Sequence, residues 1–147
     1  MSSGQTIHIV DVPVQDVWTR LKEDAGAVLI DVRTKAEWSY VGLPDLSSIG
    51  KRPILIEWQS FPDGRVDPGF ADRLAETLRE AGADRQSELF FICRSGGRSR
   101  MAAQAMATAG FAACWNVADG FEGPLDSNRH RGMTAGWKAA GLPWAQG

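Results

Sequence analysis

Cys93 stands where the apolar run Leu89-Phe90-Phe91-Ile92 gives way to Arg94-Ser95-Gly96-Gly97-Arg98-Ser99, and an alanine-rich helical stretch begins at once. A strand that turns through glycines into a helix aims several unpaired backbone N–H groups at one point, and the helix dipole adds positive charge there. Such a position, with Arg94 and Arg98 beside it, favours a thiolate over a thiol, and the thiolate is the nucleophile. The expected chemistry is therefore attack by the Cys93 sulfur. Gly96 and Gly97 read both as turn residues and as a cradle whose free N–H groups suit an anion or a charged sulfur. Arg94 reads equally as a solvated surface charge, the usual state of an arginine. Ser95 and Ser99 offer hydroxyls to the sulfur, and Ser99 reads equally as a helix cap.

The elements that must position this loop follow from hydrophobic spacing. Short apolar, β-branched runs recur at Ile7 to Val10, Ala27 to Val32, Pro53 to Trp58, Leu89 to Cys93 and Ala113 to Val117, with helical spacing between them. That alternation predicts an α/β domain built on a parallel sheet. Val14, Val17, Trp18 and Leu21 fall on one helical face, with Pro13 as a first helical residue. Phe70, Leu74 and Leu78 form a second stripe that stops at Gly82. After the loop, residues 99–109 place Met101, Ala102, Ala105, Met106 and Ala109 on one side, small enough for close approach to the sheet. The stretches Val41 to Arg52 and Gln59 to Gly69 read as loops at the rim of a pocket. Beyond Gly120 the chain is polar and Gly-rich, with Trp137 and Trp144 expected to anchor short helical turns.

The 147 residues fit one domain, 1–147, long enough to bury about two-thirds of the unfolded surface. An apolar fraction of 44% and a net charge of -2 exclude the basic footprint of a nucleic-acid binder. The first residues show no charged-then-apolar leader and no run reaches membrane-span length, so a cytoplasmic protein without membrane partners is expected. Two cysteines and two histidines, without metal-ligand spacing, predict no metal site and reduced thiols. Cys114, mid-strand and without nearby glycine or arginine, reads as a core residue. His8 and His130 read as surface or satisfied histidines. Trp38 and Trp58 are candidates to wall a pocket.

Asp31 and Arg33 sit at the carboxyl end of a predicted parallel strand, the edge where open α/β sheets bind ligands. They read as a structural ion pair or cap, with an acid–base role as the alternative and Glu37 as another candidate partner for Arg33.

Cys93-Arg94-Ser95-Gly96-Gly97-Arg98-Ser99 resembles the active-site loop of single-domain, rhodanese-like sulfurtransferases. Leu29-Ile30-Asp31-Val32-Arg33, with the acidic-aromatic pair Glu37-Trp38, is similar to that family's second signature. The resemblance runs on through Gly110-Phe111 and Asn116-Val117-Ala118-Asp119-Gly120, where Asp119 replaces the first of a glycine pair. It implies a three-layer domain with a mainly parallel sheet of about five strands flanked by helices. It also implies a two-step transfer: Cys93 takes the outer sulfur of thiosulfate or a persulfide, then yields it to cyanide or a thiol. Arg98 stands where such domains often bind the anionic donor. No metal or organic cofactor is implied, and the acceptor is a small thiol or, alternatively, a protein partner in a sulfur relay or sensor. Val41-Gly42-Leu43-Pro44-Asp45 departs from the family's usual histidine-containing run, so a different pocket rim is expected.

Cysteine-dependent phosphatases and arsenate reductases also close an arginine over a cysteine loop. Their spacing falls between Cys93–Arg98, one residue short, and Cys93–Arg100, one residue long. The tighter loop suits a single sulfur atom, and these enzymes stand as the third reading.

Overall fold

The computed structural model describes residues 8–59 and 64–146. Five parallel strands form the central sheet in the order β1-β6-β5-β2-β4. These are β1 (Asp11–Val12), β2 (Val28–Asp31), β4 (Ile54–Leu55), β5 (Glu88–Ile92) and β6 (Ala113–Val117). Helices α1 (Val14–Glu23), α2 (Lys35–Tyr40), α3 (Phe70–Glu80) and α4 (Gly97–Thr108) connect them. A small antiparallel ladder joins β3 (Leu43–Pro44) to β7 (Trp144–Ala145). The longest strands lie inside the sheet, whereas both edges are two-residue strands, which limits exposed pairing groups.

Strand β5 alternates between two apolar layers, because both faces of a parallel sheet are covered. Leu89, Phe91 and Cys93 pack with Phe70, Leu74 and Leu78 of α3 and with Ala102, Ala103 and Met106 of α4. Phe90 and Ile92 face the opposite layer, with Val14, Val17 and Leu21 of α1, Phe121 and Trp137. The same period of two therefore sends the Cys93 side chain toward α4.

The α1 and α3 stripes occur as the spacing predicts. Pro13 lies just before the first helical residue, with its carbonyl accepting from Val17 N. The first strand forms at Asp11–Val12, beyond the run expected at Ile7 to Val10, of which Ile7 lies outside the described residues; Val10 still contributes its carbonyl to Asn116 N. The α4 face is rotated from expectation: Ser99, Ala102, Ala103 and Met106 are buried, and Met101 is exposed. A serine heads that buried stripe because its hydroxyl has partners inside.

One segment expected as a loop carries structure, and the segment expected to hold short helical turns differs in kind. The stretch after Val41 holds β3 and a short 3-10 turn at Ser47–Ile49. Beyond Gly120, Trp137 is fully buried as an anchor of backbone turns without a helix, and Trp144 lies in β7. Among the described residues no helix is long and apolar enough to cross a membrane.

Candidate active site

Cys93 follows the last residue of β5 and is 1% exposed. Its Sγ accepts a hydrogen bond from Gly96 N at 3.1 Å and lies 3.2 Å from Ser99 Oγ. Gly96 reaches this geometry at φ 116, a left-handed conformation that disfavours any side chain. The α4 helix starts at the next residue, so its positive end opens beside the sulfur. Of the two candidate hydroxyls, that of Ser99 meets the sulfur, while Ser95 is exposed.

Ser99 is held in turn by a residue that sequence reasoning missed as functional. Ser99 Oγ donates to Asn116 Oδ1 at 2.5 Å. The Asn116 amide donates to Asp11 Oδ1 at 2.9 Å and to Gly96 O at 3.2 Å, which fixes which end is the acceptor. Asp11 is clamped by both Nη2 contacts of Arg100, at 2.7 and 2.9 Å. Burial acts to raise the Asp11 carboxyl, but the Arg100 and Asn116 hydrogen bonds outweigh it and hold it below the usual carboxylate range. A polar chain thus runs from the protein's edge to Sγ through Asp11, Asn116 and Ser99. The sequence carries only Asn116's position, mid-way along an apolar strand, as a hint.

The loop is braced from behind by the chain after β6. Phe121 N donates to Cys93 O at 2.8 Å, and Glu122 N and Gly123 N donate to Arg94 O at 3.0 and 3.1 Å. Gly120 makes that approach possible: a Cβ there would lie 2.5 Å from Cys93 O and 2.7 Å from Arg94 O. Asp119, in the place of a glycine, also adopts a positive φ of 63.

Asp31 and Arg33 form a fully buried ion pair, with Arg33 Nη2 2.7 Å from Asp31 Oδ2. The same Nη2 donates to Gly42 O at 2.8 Å, and the guanidinium lies 4.3 Å from the Phe121 ring centroid. Phe121 is the residue bonded to Cys93 O, so this pair supports the brace of the loop instead of touching the sulfur. Glu37, considered as a partner for Arg33, pairs instead with Arg98 through contacts of 2.7 and 2.9 Å. It also caps α2: Thr34 Oγ1 accepts from Glu37 N, and Glu37 Oε1 accepts from Thr34 N. Thr34-Lys35-Ala36-Glu37 is a capping box legible in the sequence. Burial works to raise the Glu37 carboxyl, but Arg98 and then Thr34 overcome it and hold it at about 2.

A cleft of about 990 Å³ opens at the loop, lined by Arg94 and Arg98 together with Tyr40 and Val41. Gln59 and Gly64 also line it, as the rim expectation has it, while residues 60–63 lie outside the described residues. Neither Trp38 nor Trp58 is part of the lining. Arg94 is exposed into it, and Arg98 is half-buried on Glu37. Cys114 is buried in the core, and burial pushes its thiol up to about 11. His8 and His130 are exposed.

Residues 11–147 match the family described as the STR4 middle domain. The chain belongs to that family. The solved structure of Rv0390 from M. tuberculosis is 42% identical, with a TM-score of 0.84, covering 96% of this chain and 100% of that one. The chloroplastic rhodanese-like domain-containing protein 4 of Arabidopsis thaliana is 26% identical over 90% of this chain and 25% of its own length. The polysulfide-sulfur transferase homodimer of Wolinella succinogenes shares the fold at 21% identity, with a TM-score of 0.59 over 95% of this chain and 80% of that one. The fold of the STR4 middle-domain chain is accordingly the rhodanese-like α/β fold, with its five-stranded parallel sheet between helical layers.

Proposed function

We propose that this STR4 middle-domain protein is a sulfurtransferase that carries a sulfane sulfur on Cys93. The observation that carries the reading is the placement of Sγ: within hydrogen-bond distance of Gly96 N and Ser99 Oγ, at the positive end of α4, in a loop whose Arg94 and Arg98 line an open cleft. Those donors stabilise a negative sulfur in the free thiolate and in the persulfide, as donors aimed at developing charge do. The fold shared with a polysulfide-sulfur transferase supports the same chemistry.

In the first step the Cys93 thiolate bonds to the outer sulfur of thiosulfate or of a persulfide. The donor's sulfur–sulfur bond breaks, and its electron pair leaves on sulfite or on the donor thiolate. In the second step cyanide or a thiolate bonds to that outer sulfur and Cys93 departs as the thiolate. Arg98, anchored on Glu37, contributes positive charge near the sulfur, and Gly96 and Gly97 keep the backbone open to it. Arg94 meets the donor at the cleft. Asp31 and Arg33 act as supports of the loop's brace.

The reduced protein incubated with thiosulfate should gain the mass of one sulfur atom on Cys93. Cys93→Ser should gain none. A reduced, folded protein that stays at its original mass with thiosulfate and with a small persulfide overturns the reading.

A further inference from the structure

The cleft is far larger than the donor requires, and its outer part is built from a segment that the proposed transfer does not use. Residues 123–132 form a loop organised on Asp126, whose Oδ1 accepts from Asn128 N and His130 N, both at 2.8 Å. Asp126 N donates to His130 O at 2.8 Å and Arg129 N to Asp126 O at 3.0 Å. That turn holds Arg129 at φ 63, a conformation uncommon for a non-glycine residue. Arg131 is fixed separately, with Nη1 donating to Gly123 O at 2.8 Å. Both arginines line the cleft together with Arg94.

Charge is segregated here against the average of the chain. The protein carries a net charge of -2, yet four arginines line this one cleft against the carboxylates Glu37 and Glu122. Arg98 is spent on Glu37. No carboxylate pairs with Arg94, Arg129 or Arg131 in the ion pairs found among the described residues. Tyr40 and Met133, 81% and 71% exposed, add apolar surface to the same lining. Clefts of several hundred Å³ with a few convergent charges bind organic ligands of moderate size. Arginine favours carboxylate and phosphate in particular.

We infer that this cleft is the acceptor site and that the acceptor is an anionic thiol. Arg94, Arg129 and Arg131 hold its carboxylates or phosphates, Tyr40 and Met133 contact its apolar body, and its sulfur reaches Cys93. The inference rests on the sulfurtransferase reading and names the substrate class of its second step. In that step the acceptor thiolate bonds to the outer sulfur and the bond to Cys93 breaks. The electron pair stays on Sγ, and the product is the acceptor's persulfide, with no external oxidant or reductant.

The test compares three thiols on sulfur-loaded protein: glutathione for carboxylates, coenzyme A for phosphates, and neutral 2-mercaptoethanol. For at least one anionic thiol, Arg129→Gln should lower kcat/KM about tenfold while changing that for the neutral thiol less than twofold. Added salt should reproduce the selective loss. Arg131→Gln, from the same lining but with its own anchor on Gly123 O, is the second variant and should act in the same direction. Which anionic thiol responds identifies the carboxylate or the phosphate as the ligand. Equal effects on all three thiols, or none in either variant, overturn the inference. Calorimetric titration of unloaded protein with S-methylglutathione and desulfo-coenzyme A separates the two readings, because it needs no transfer. Arginine-dependent binding without sulfur loading keeps the site and removes the reaction, whereas loading without binding of either ligand removes the site.

Discussion

Both cysteines of this chain are buried, Cys114 within β6 and Cys93 just past the end of the neighbouring β5, and they have opposite surroundings. Cys114 contacts one polar atom, the Phe111 carbonyl at 3.6 Å, and burial alone pushes its thiol up to about 11. Cys93 is the more buried of the two, yet Gly96 N and Ser99 Oγ lie within 3.2 Å of its sulfur and a helix begins at its side. Burial by itself disfavours the charged form and makes a thiol inert. Donors aimed into the buried site decide whether a sulfur can carry charge.

The sharpest break of that contrast is to remove each sulfur in turn. Cys93→Ser should abolish sulfur loading, and Cys114→Ser should retain nearly all of it, as read by intact mass. In a pH series, alkylation of Cys114 should climb towards about 11, because only about one part in a thousand is thiolate at pH 8. Rapid labelling of Cys114 at neutral pH would erase the distinction.

Next in size is Gly120→Ala, which leaves every polar contact of Sγ in place on paper. The new Cβ collides with Cys93 O, and the position has φ 64. Stability should fall by about 1–3 kcal/mol in urea denaturation, and loading should slow more than the stability loss accounts for. Normal loading in a folded Gly120→Ala protein would show that the brace does not set the loop.

A smaller effect belongs to Glu37 and Arg98. The Glu37 carboxyl is held at about 2, below its ordinary 4.5, so this ion pair contributes stability above pH 4.5 that is lost as pH falls towards 2. Glu37→Gln should therefore be less stable than the parent at pH 6, on the order of 1–2 kcal/mol after allowing for partial exposure. The gap should close by pH 2. A gap independent of pH would assign the loss to packing.

The finest adjustment is the single proton of Ser99, which has two takers, Asn116 Oδ1 at 2.5 Å and Cys93 Sγ at 3.2 Å. Asn116→Ala leaves the sulfur as the only one, and Cys93 alkylation at neutral pH should quicken about two- to tenfold, the worth of one hydrogen bond. Ser99→Ala should slow it. Identical rates in both variants would remove Ser99 from the sulfur's electrostatics.

What could be read in advance was local. The Cys93 loop, the α1 and α3 stripes and the Asp31–Arg33 pair are each encoded within a few consecutive residues. Helix α2 buries none of its residues, so it has no apolar stripe to announce it, although its capping box stands in plain letters. The rotation of α4 and the role of Asn116 depend on contacts 17 and 105 residues apart, and no periodicity records them. Glu37 reads in the sequence as a candidate partner for Arg33 and pairs instead with Arg98, because which guanidinium turns towards α2 is settled by tertiary packing.

The brace also sets a timetable. Cys93 O and Arg94 O take their partners from residues 121–123, and Gly120 O takes its own from Trp137 N. A chain emerging from the ribosome in order, N-terminus first, therefore exposes Cys93 well before the segment that shapes its loop. The thiol loop acquires its final form only when residues 121–137 have arrived to supply those partners.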